Sequence, residues 1–288
     1  MLLEWAKTGS TPMDFSNLAG KTAVITGAAS GIGLALARRL RAEGMELVLA
    51  DLDGEAVTGL ADELGALGMA ADIRQPESVQ ALADAAAARF GGVDLLCSNA
   101  GVSRMAGIER LTLQDWRWLF EVNLFAAVSV TKTFLPLLKA RPDGAHILFT
   151  ASLSSFYPTR AQAAYGATKY ALAAFGETLA LELEAEQATV GVTLLCPGPV
   201  RTNIAKGYGK REAEYRAPGV DPAAVCDIHE AAFRGGVDDS DWSTPEAVAD
   251  AAVAGMRRGE LWVITHPQLM GSAVARNAAM AEASERGG

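Results

Sequence analysis

The chain has 288 residues, half of them hydrophobic, with 20% charged and a formal net charge of −9. That is enough apolar chain to bury one full core, and an acidic balance spread along the sequence argues against a nucleic-acid backbone as partner. No charge-free run of about 18 or more apolar residues suggests a membrane span, and the opening MLLEWAKTGSTPMDFSNLAG lacks the basic-then-apolar pattern of a signal peptide.

In chain order, residues 1–19 read as a loose arm. KTAVITG is then a short apolar run ending in glycine, and GLALARRLRAEG is a helical pattern stopped by Gly44. MELVLAD is a second apolar run. PESVQALADAAAARFGG is a helix with proline in its first turn and glycines at its end. VDLLCSNAG, HILFTAS, VTLLCPG and LWVITHP complete the set of strands. Apolar runs without polar alternation, separated by helices, predict an α/β fold. It is a doubly wound parallel sheet of about seven strands with helices on both faces. The domain is read over residues 20–270, with 271–288 as a tail. Residues 203–243 break the rhythm: they are polar and glycine-rich, yet carry Tyr208, Tyr215, Phe233 and Trp242. A stretch that long inside a compact domain reads as a lid or binding loop.

After the first strand comes TGAASGIG, with Gly27, Gly31 and Gly33. Glycines between a strand and a helix allow a tight turn and close approach to a pyrophosphate, whose charge meets the helix N-terminus. A glycine trio alone also fits a plain turn. The second strand, however, ends in Asp51, eighteen residues past Gly33. There a carboxylate can accept hydrogen bonds from a ribose and repel a 2′-phosphate. Neither Ser30 nor Leu52 supplies a cation, and Arg38 and Arg39 are expected to face solvent, so NAD is favoured over NADP. The competing reading of Asp51 is a turn aspartate, with Asp53 able to cap the next helix.

The spacing Gly27-x-x-x-Gly31-x-Gly33 resembles the glycine motif of the short-chain dehydrogenase/reductase family, and the resemblance runs from about Lys21 to His266. It implies a Rossmann fold and cofactor contacts from Gly27, Ser30, Gly31, Ile32, Gly33, Asp51 and Leu52. ADIRQPESV puts Asp72, with Ile73, where the family meets adenine. SNAG puts Asn99, Ala100 and Gly101 in the family's N-N-A-G element, with Ser98 replacing its first asparagine. CPGPVRT matches the element beside the nicotinamide and implies Pro197, Gly198, Val200 and Thr202.

YGATK places Tyr165 and Lys169 one turn apart on one helix face. Taken alone, that pair could be a surface feature. In the family it is the catalytic signature, with a serine thirteen residues upstream, here Ser152, and a helix asparagine, here Asn123. Individually, Ser152 also reads as a strand-end cap and Asn123 as a buried helix polar. A phenol near ~10 is a poor base at neutral pH, and a neighbouring ammonium is expected to lower it. The resemblance implies that Tyr165 and Lys169 also touch the nicotinamide ribose, Ser152 the substrate oxygen, and Asn123 a proton-relaying water.

The substrate is read as a bulky, partly apolar secondary alcohol, with Ser152, Leu153, Tyr165 and Tyr208 as its contacts; the loop aromatics read equally well as pins that hold the loop to the body. LWVITHP and the long loop carry a weaker similarity to bacterial members acting on aryl alcohols. An NADPH-dependent ketone reductase is the alternative enzyme, and a non-catalytic NAD sensor the alternative outside enzymes. Cys97, Cys196 and Cys226 read as reduced thiols of a cytoplasmic protein. They and His146, His229 and His266 lack ligand spacing, so no metal is expected. Two helices apolar around much of their circumference predict a homodimer or homotetramer.

Overall fold

The structure, a computed structural model, describes residues 13–211, 213–216, 225 and 238–286. Cys226, His229 and Phe233 lie outside those residues. Seven strands make one sheet: β1 (Thr22–Thr26), β2 (Glu46–Asp51), β3 (Leu67–Ala70), β4 (Leu95–Ser98), β5 (Ala145–Thr150), β6 (Val190–Cys196) and β7 (Trp262–Ile264). Their order is β3-β2-β1-β4-β5-β6-β7, and every pairing is parallel. The order reverses between β1 and β4, which opens a crevice at the carboxyl ends of those strands.

The apolar runs follow from burial on both faces. Along β1 and β2, Ala23, Ile25, Leu47 and Leu49 join one core layer, while Val24, Val48 and Ala50 join the other. The first layer packs against α1 (Gly31–Ala42), α2 (Gly54–Leu64) and α7 (Pro245–Arg258). The second packs against α3 (Pro76–Phe90), α5 (Ala126–Lys139) and α6 (Ala163–Ala185). Period-two side chains on a doubly covered sheet leave no polar face to alternate with.

Three segments depart from expectation. The arm is packed from Met13 onward: Met13, Phe15 and Leu18 are buried in the first layer, and Phe15 sits edge-on to His146 with centroids 5.1 Å apart. Three apolar side chains within six residues outweigh the loop's polar composition. The tail forms a helix, α8 (Gly271–Glu285), mostly exposed, with Ala273 buried. The apolar run Leu113–Lys139 is long and apolar enough to cross a membrane by length and composition alone. Here it is divided: α4 (Leu113–Phe120), opened by a Thr112–Asp115 capping box, passes through a π turn, Glu121–Phe125, into α5.

Candidate active site

A cleft of about 1220 Å³ lies along the crevice. Its glycine-loop end is built from main chain. Gly27 and Gly31 are left-handed, with φ of +66° and +54°, a conformation that disfavours side chains. A Cβ on Gly27 would sit 2.8 Å from the Ala100 Cα, and one on Gly33 would sit 2.6 Å from Asn99 Nδ2. The loop is therefore pressed against the strand-end turn after β4. Asn99 locks that contact, donating to the Thr26 and Gly27 carbonyls and accepting from Thr150 Oγ1 at 2.9 Å. Replacement of the preceding asparagine by Ser98 leaves these cross-strand bonds in place. Gly27, Ser30, Gly31, Ile32, Asn99, Ala100 and Gly101 line the cleft, while Gly33 supports the loop from behind.

Asp51 lines the cleft beside exposed Leu52, its carboxylate accepting from the Ala29 and Asp53 amides at 2.9 and 3.0 Å. The cap of α2 is Asp53, which accepts from Ala56 N. Arg38 pairs with Glu63, and Arg39 with Glu43 and Asp250, so neither turns into the cleft. A cation that the sequence reading missed is Arg74, on the wall with Asp72 and Ile73. It forks onto Asp72 at 3.0 and 2.7 Å, pairs with Glu214 and stacks on Tyr215. Burial works to raise the Asp72 carboxyl, but the Arg74 bonds and charge outweigh it and hold it below its ordinary value.

At the other end Ser152, just past β5, accepts from Ser154 N at 3.1 Å and shares the cleft wall with Tyr165. Tyr165 lies in the first turn of α6, and Lys169 Nζ is 5.7 Å from its ring centroid. Lys169 Nζ donates to the Thr150 carbonyl at 2.8 Å. Three of the four predicted catalytic residues thus converge on the cleft wall. The expected lowering of the phenol is not what the geometry produces. Burial pushes Tyr165 up to about 12, with Ser152 opposing, and pushes Lys169 down to about 8. Desolvation dominates both groups, and the Lys169 ammonium directs its hydrogen bond at the Thr150 carbonyl.

Asn123 stands behind this wall, in the π turn. It accepts from Val102 N at 2.8 Å and donates to Val102 O and Thr168 Oγ1. A two-way clasp on the backbone of one residue, Val102, fixes the loop that follows β4, and π turns recur where such a local shift is needed.

Pro197, Gly198, Val200 and Thr202 form the floor, and Leu153 lies above them. Tyr208 is not on the wall: it is 3% exposed, edge-on to Trp118, with Arg104 and Arg211 over its ring at 5.1 and 4.9 Å. Arg211 is fully buried, ion-paired to Asp115 of the capping box and also stacked on Trp118. The wall residue is Trp118, supported by Tyr208 from behind. Trp118, Val122 and Gln162 were missed. Helical periodicity marks the first two as core, and nothing local to Gln162 separates it from any residue near a helix start.

A family model described as short chain dehydrogenase matches residues 21–213. A 1-deoxy-11-beta-hydroxypentalenate dehydrogenase of Streptomyces exfoliatus is 41% identical over 198 residues, 66% of this chain and 71% of that relative. A short chain dehydrogenase/reductase from Burkholderia phymatum, solved in complex with NAD, superposes with a TM-score of 0.85 at 33% identity, covering 92% of this chain and 95% of that one. A 3-ketoacyl-(acyl-carrier-protein) reductase from Brucella melitensis, complexed with NADH, gives a TM-score of 0.71 at 28% identity over 86% and 96% of the two chains.

Proposed function

Because this chain belongs to the short-chain dehydrogenase family, and so is an NAD(P)-dependent oxidoreductase, we propose that it interconverts a bulky secondary alcohol and its ketone, using NAD. The observation that carries this reading is the convergence of Ser152, Tyr165 and Lys169 on one wall of the cleft, with Lys169 Nζ 5.7 Å from the Tyr165 ring and anchored to the Thr150 carbonyl. The glycine loop would hold the pyrophosphate at the N-terminus of α1, and Asp51 the adenosine ribose. A carboxylate at that place disfavours a 2′-phosphate, and the nearby guanidinium of Arg74 is taken by Asp72 and Glu214. Bound nicotinamide supplies the hydride acceptor.

The remaining chemistry belongs to side chains. Ser152, whose oxygen accepts from Ser154 N, can turn its hydroxyl proton onto the substrate oxygen. Tyr165 exchanges the hydroxyl proton. Raised to about 12, the phenol is a proton donor at neutral pH, so oxidation should rise toward alkaline pH and ketone reduction should fall. The size of the cleft, its Trp118 and Leu153 walls and the hydroxypentalenate named for the Streptomyces relative support a bulky substrate. Exposed Leu113 and Phe125, 71% and 54% accessible along α4 and the π turn, support self-association.

The test is NAD and NADP reduction across aryl, polycyclic, aliphatic and sugar alcohols, with Tyr165→Phe as control. Turnover of a bulky alcohol with NAD, absent in Tyr165→Phe while NADH still binds, is the expected result. A preference for NADP, or an active Tyr165→Phe, would sink the reading.

A further inference from the structure

The sequence reading set His266 aside as one scattered histidine among three. In the fold its ring is buried directly beneath the cleft floor, at the end of β7. Gly198 N donates to His266 Nδ1 at 3.1 Å, and the Thr265 hydroxyl lies 2.6 Å from the same nitrogen. The approach is close enough that a Cβ on Gly198 would stand 2.7 Å from the ring. A nitrogen that accepts from a backbone N–H carries no proton of its own, so Nδ1 is the bare nitrogen.

The peptide that His266 holds is itself held from the other side. Its N–H belongs to Gly198 and its carbonyl to Pro197, and that carbonyl accepts from Leu153 N at 2.9 Å. Leu153 follows Ser152. One peptide plane therefore links an imidazole below the floor to the turn that carries the serine hydroxyl. The next residues are fastened as well: Ser243 N donates to Pro199 O and Arg201 N to Ser243 O, both at 3.0 Å. Rotating the Pro197–Gly198 plane would break both bonds and change which backbone groups the floor presents.

We propose that His266 is a positioning residue for the nicotinamide end of the cleft, its unprotonated Nδ1 being the nearer acceptor of the Gly198 N–H, with Thr265 Oγ1 the longer second one at 3.4 Å. The inference rests on the nicotinamide reading given under Proposed function. It predicts dependence on an acceptor at one position of the side chain. Asparagine can offer its carbonyl oxygen where Nδ1 stands, leucine offers none, and glutamine carries its amide one bond further out.

NADH and ADP-ribose, which shares the nucleotide but lacks the nicotinamide, are titrated into wild type, His266→Leu, His266→Asn and His266→Gln, with melting temperatures recorded. Losing the nearer acceptor of a part-buried amide, with only the longer Thr265 Oγ1 contact left, should weaken NADH about tenfold in His266→Leu and His266→Gln and leave ADP-ribose unchanged. His266→Asn should come back to within about threefold of wild type. If His266→Leu does not fold, the contrast between Asn and Gln decides. Equal NADH affinity in all variants overturns the proposal, as does parallel weakening of NADH and ADP-ribose, or Asn no better than Gln. Wild type that binds ADP-ribose and NADH equally well would overturn both this proposal and the nicotinamide reading beneath it. Tighter NADH in wild type with no response to His266 removes only the proposal.

Discussion

The two ends of the cleft are built in different ways. At the glycine-loop end the shape is set by backbone: two left-handed glycines, a third packed without room for a methyl, and Asn99 tying β1, β4 and β5 together. At the Trp118 end, the proposed substrate side, it is set by side chains stacked in depth, Trp118 on the wall with Tyr208, Arg211 and Arg104 behind it. Backbone cradles tolerate almost no change at a few positions. Stacked side chains spread their contribution over several residues and can be retuned one at a time, as suits a site whose substrate varies among relatives while its cofactor class does not.

The largest effect on cofactor affinity should come from Gly33→Ala, since the added methyl would press on the Gly27 carbonyl and on Asn99. Overpacking there should cost on the order of 1–3 kcal/mol of stability, and NADH affinity should fall more than tenfold by titration. Wild-type binding would show that the loop has slack. Next is Arg211→Met, which leaves the Asp115 carboxylate buried without its partner. Breaking such a pair costs about 3–5 kcal/mol, and KM for the alcohol should rise with NADH affinity unchanged. The double variant Asp115→Asn/Arg211→Met should recover part of the stability. Equal movement of KM and NADH affinity would erase the distinction between the two ends.

The smallest effect near neutral pH concerns the scaffold common to both. His146 is buried against Phe15, its Nε2 2.9 Å from Thr193 Oγ1, and burial lowers it from 6.5 to about 3. A depressed histidine binds its proton more readily unfolded, so stability is fully present above pH 6.5 and lost as pH falls toward about 3. On the order of 2 kcal/mol should disappear between pH 7 and 5, read from urea midpoints. His146→Leu should flatten that slope; an unchanged slope assigns the acid lability elsewhere.

The asymmetry between the ends also explains what the sequence made legible. The glycine loop, Asp51 and the Tyr165–Lys169 pair are local: their spacing reflects one turn or one strand–helix junction, and each lies where expected along the cleft or directly behind it. Ser152 could be placed because β5 delivers it to the same sheet edge. Arg211 meets Asp115 across 96 residues and His266 meets Gly198 across 68. No pattern within a window can report such partners. Tyr208 was read as a substrate contact because loop aromatics often are, whereas two arginines draw its ring inward. The lowered phenol failed for a related reason: charge proximity is visible in the spacing, burial is not.

The π turn at Glu121–Phe125 holds one residue more than a regular helix would need. Excising Leu124 would heal the winding and strengthen the rod it interrupts. It would also swing everything upstream by about 100° about the axis, carrying the Asn123 amide off the Val102 peptide and Trp118 out of the wall. At this joint a sturdier protein and a working one are mutually exclusive outcomes, and the natural chain has kept the irregularity.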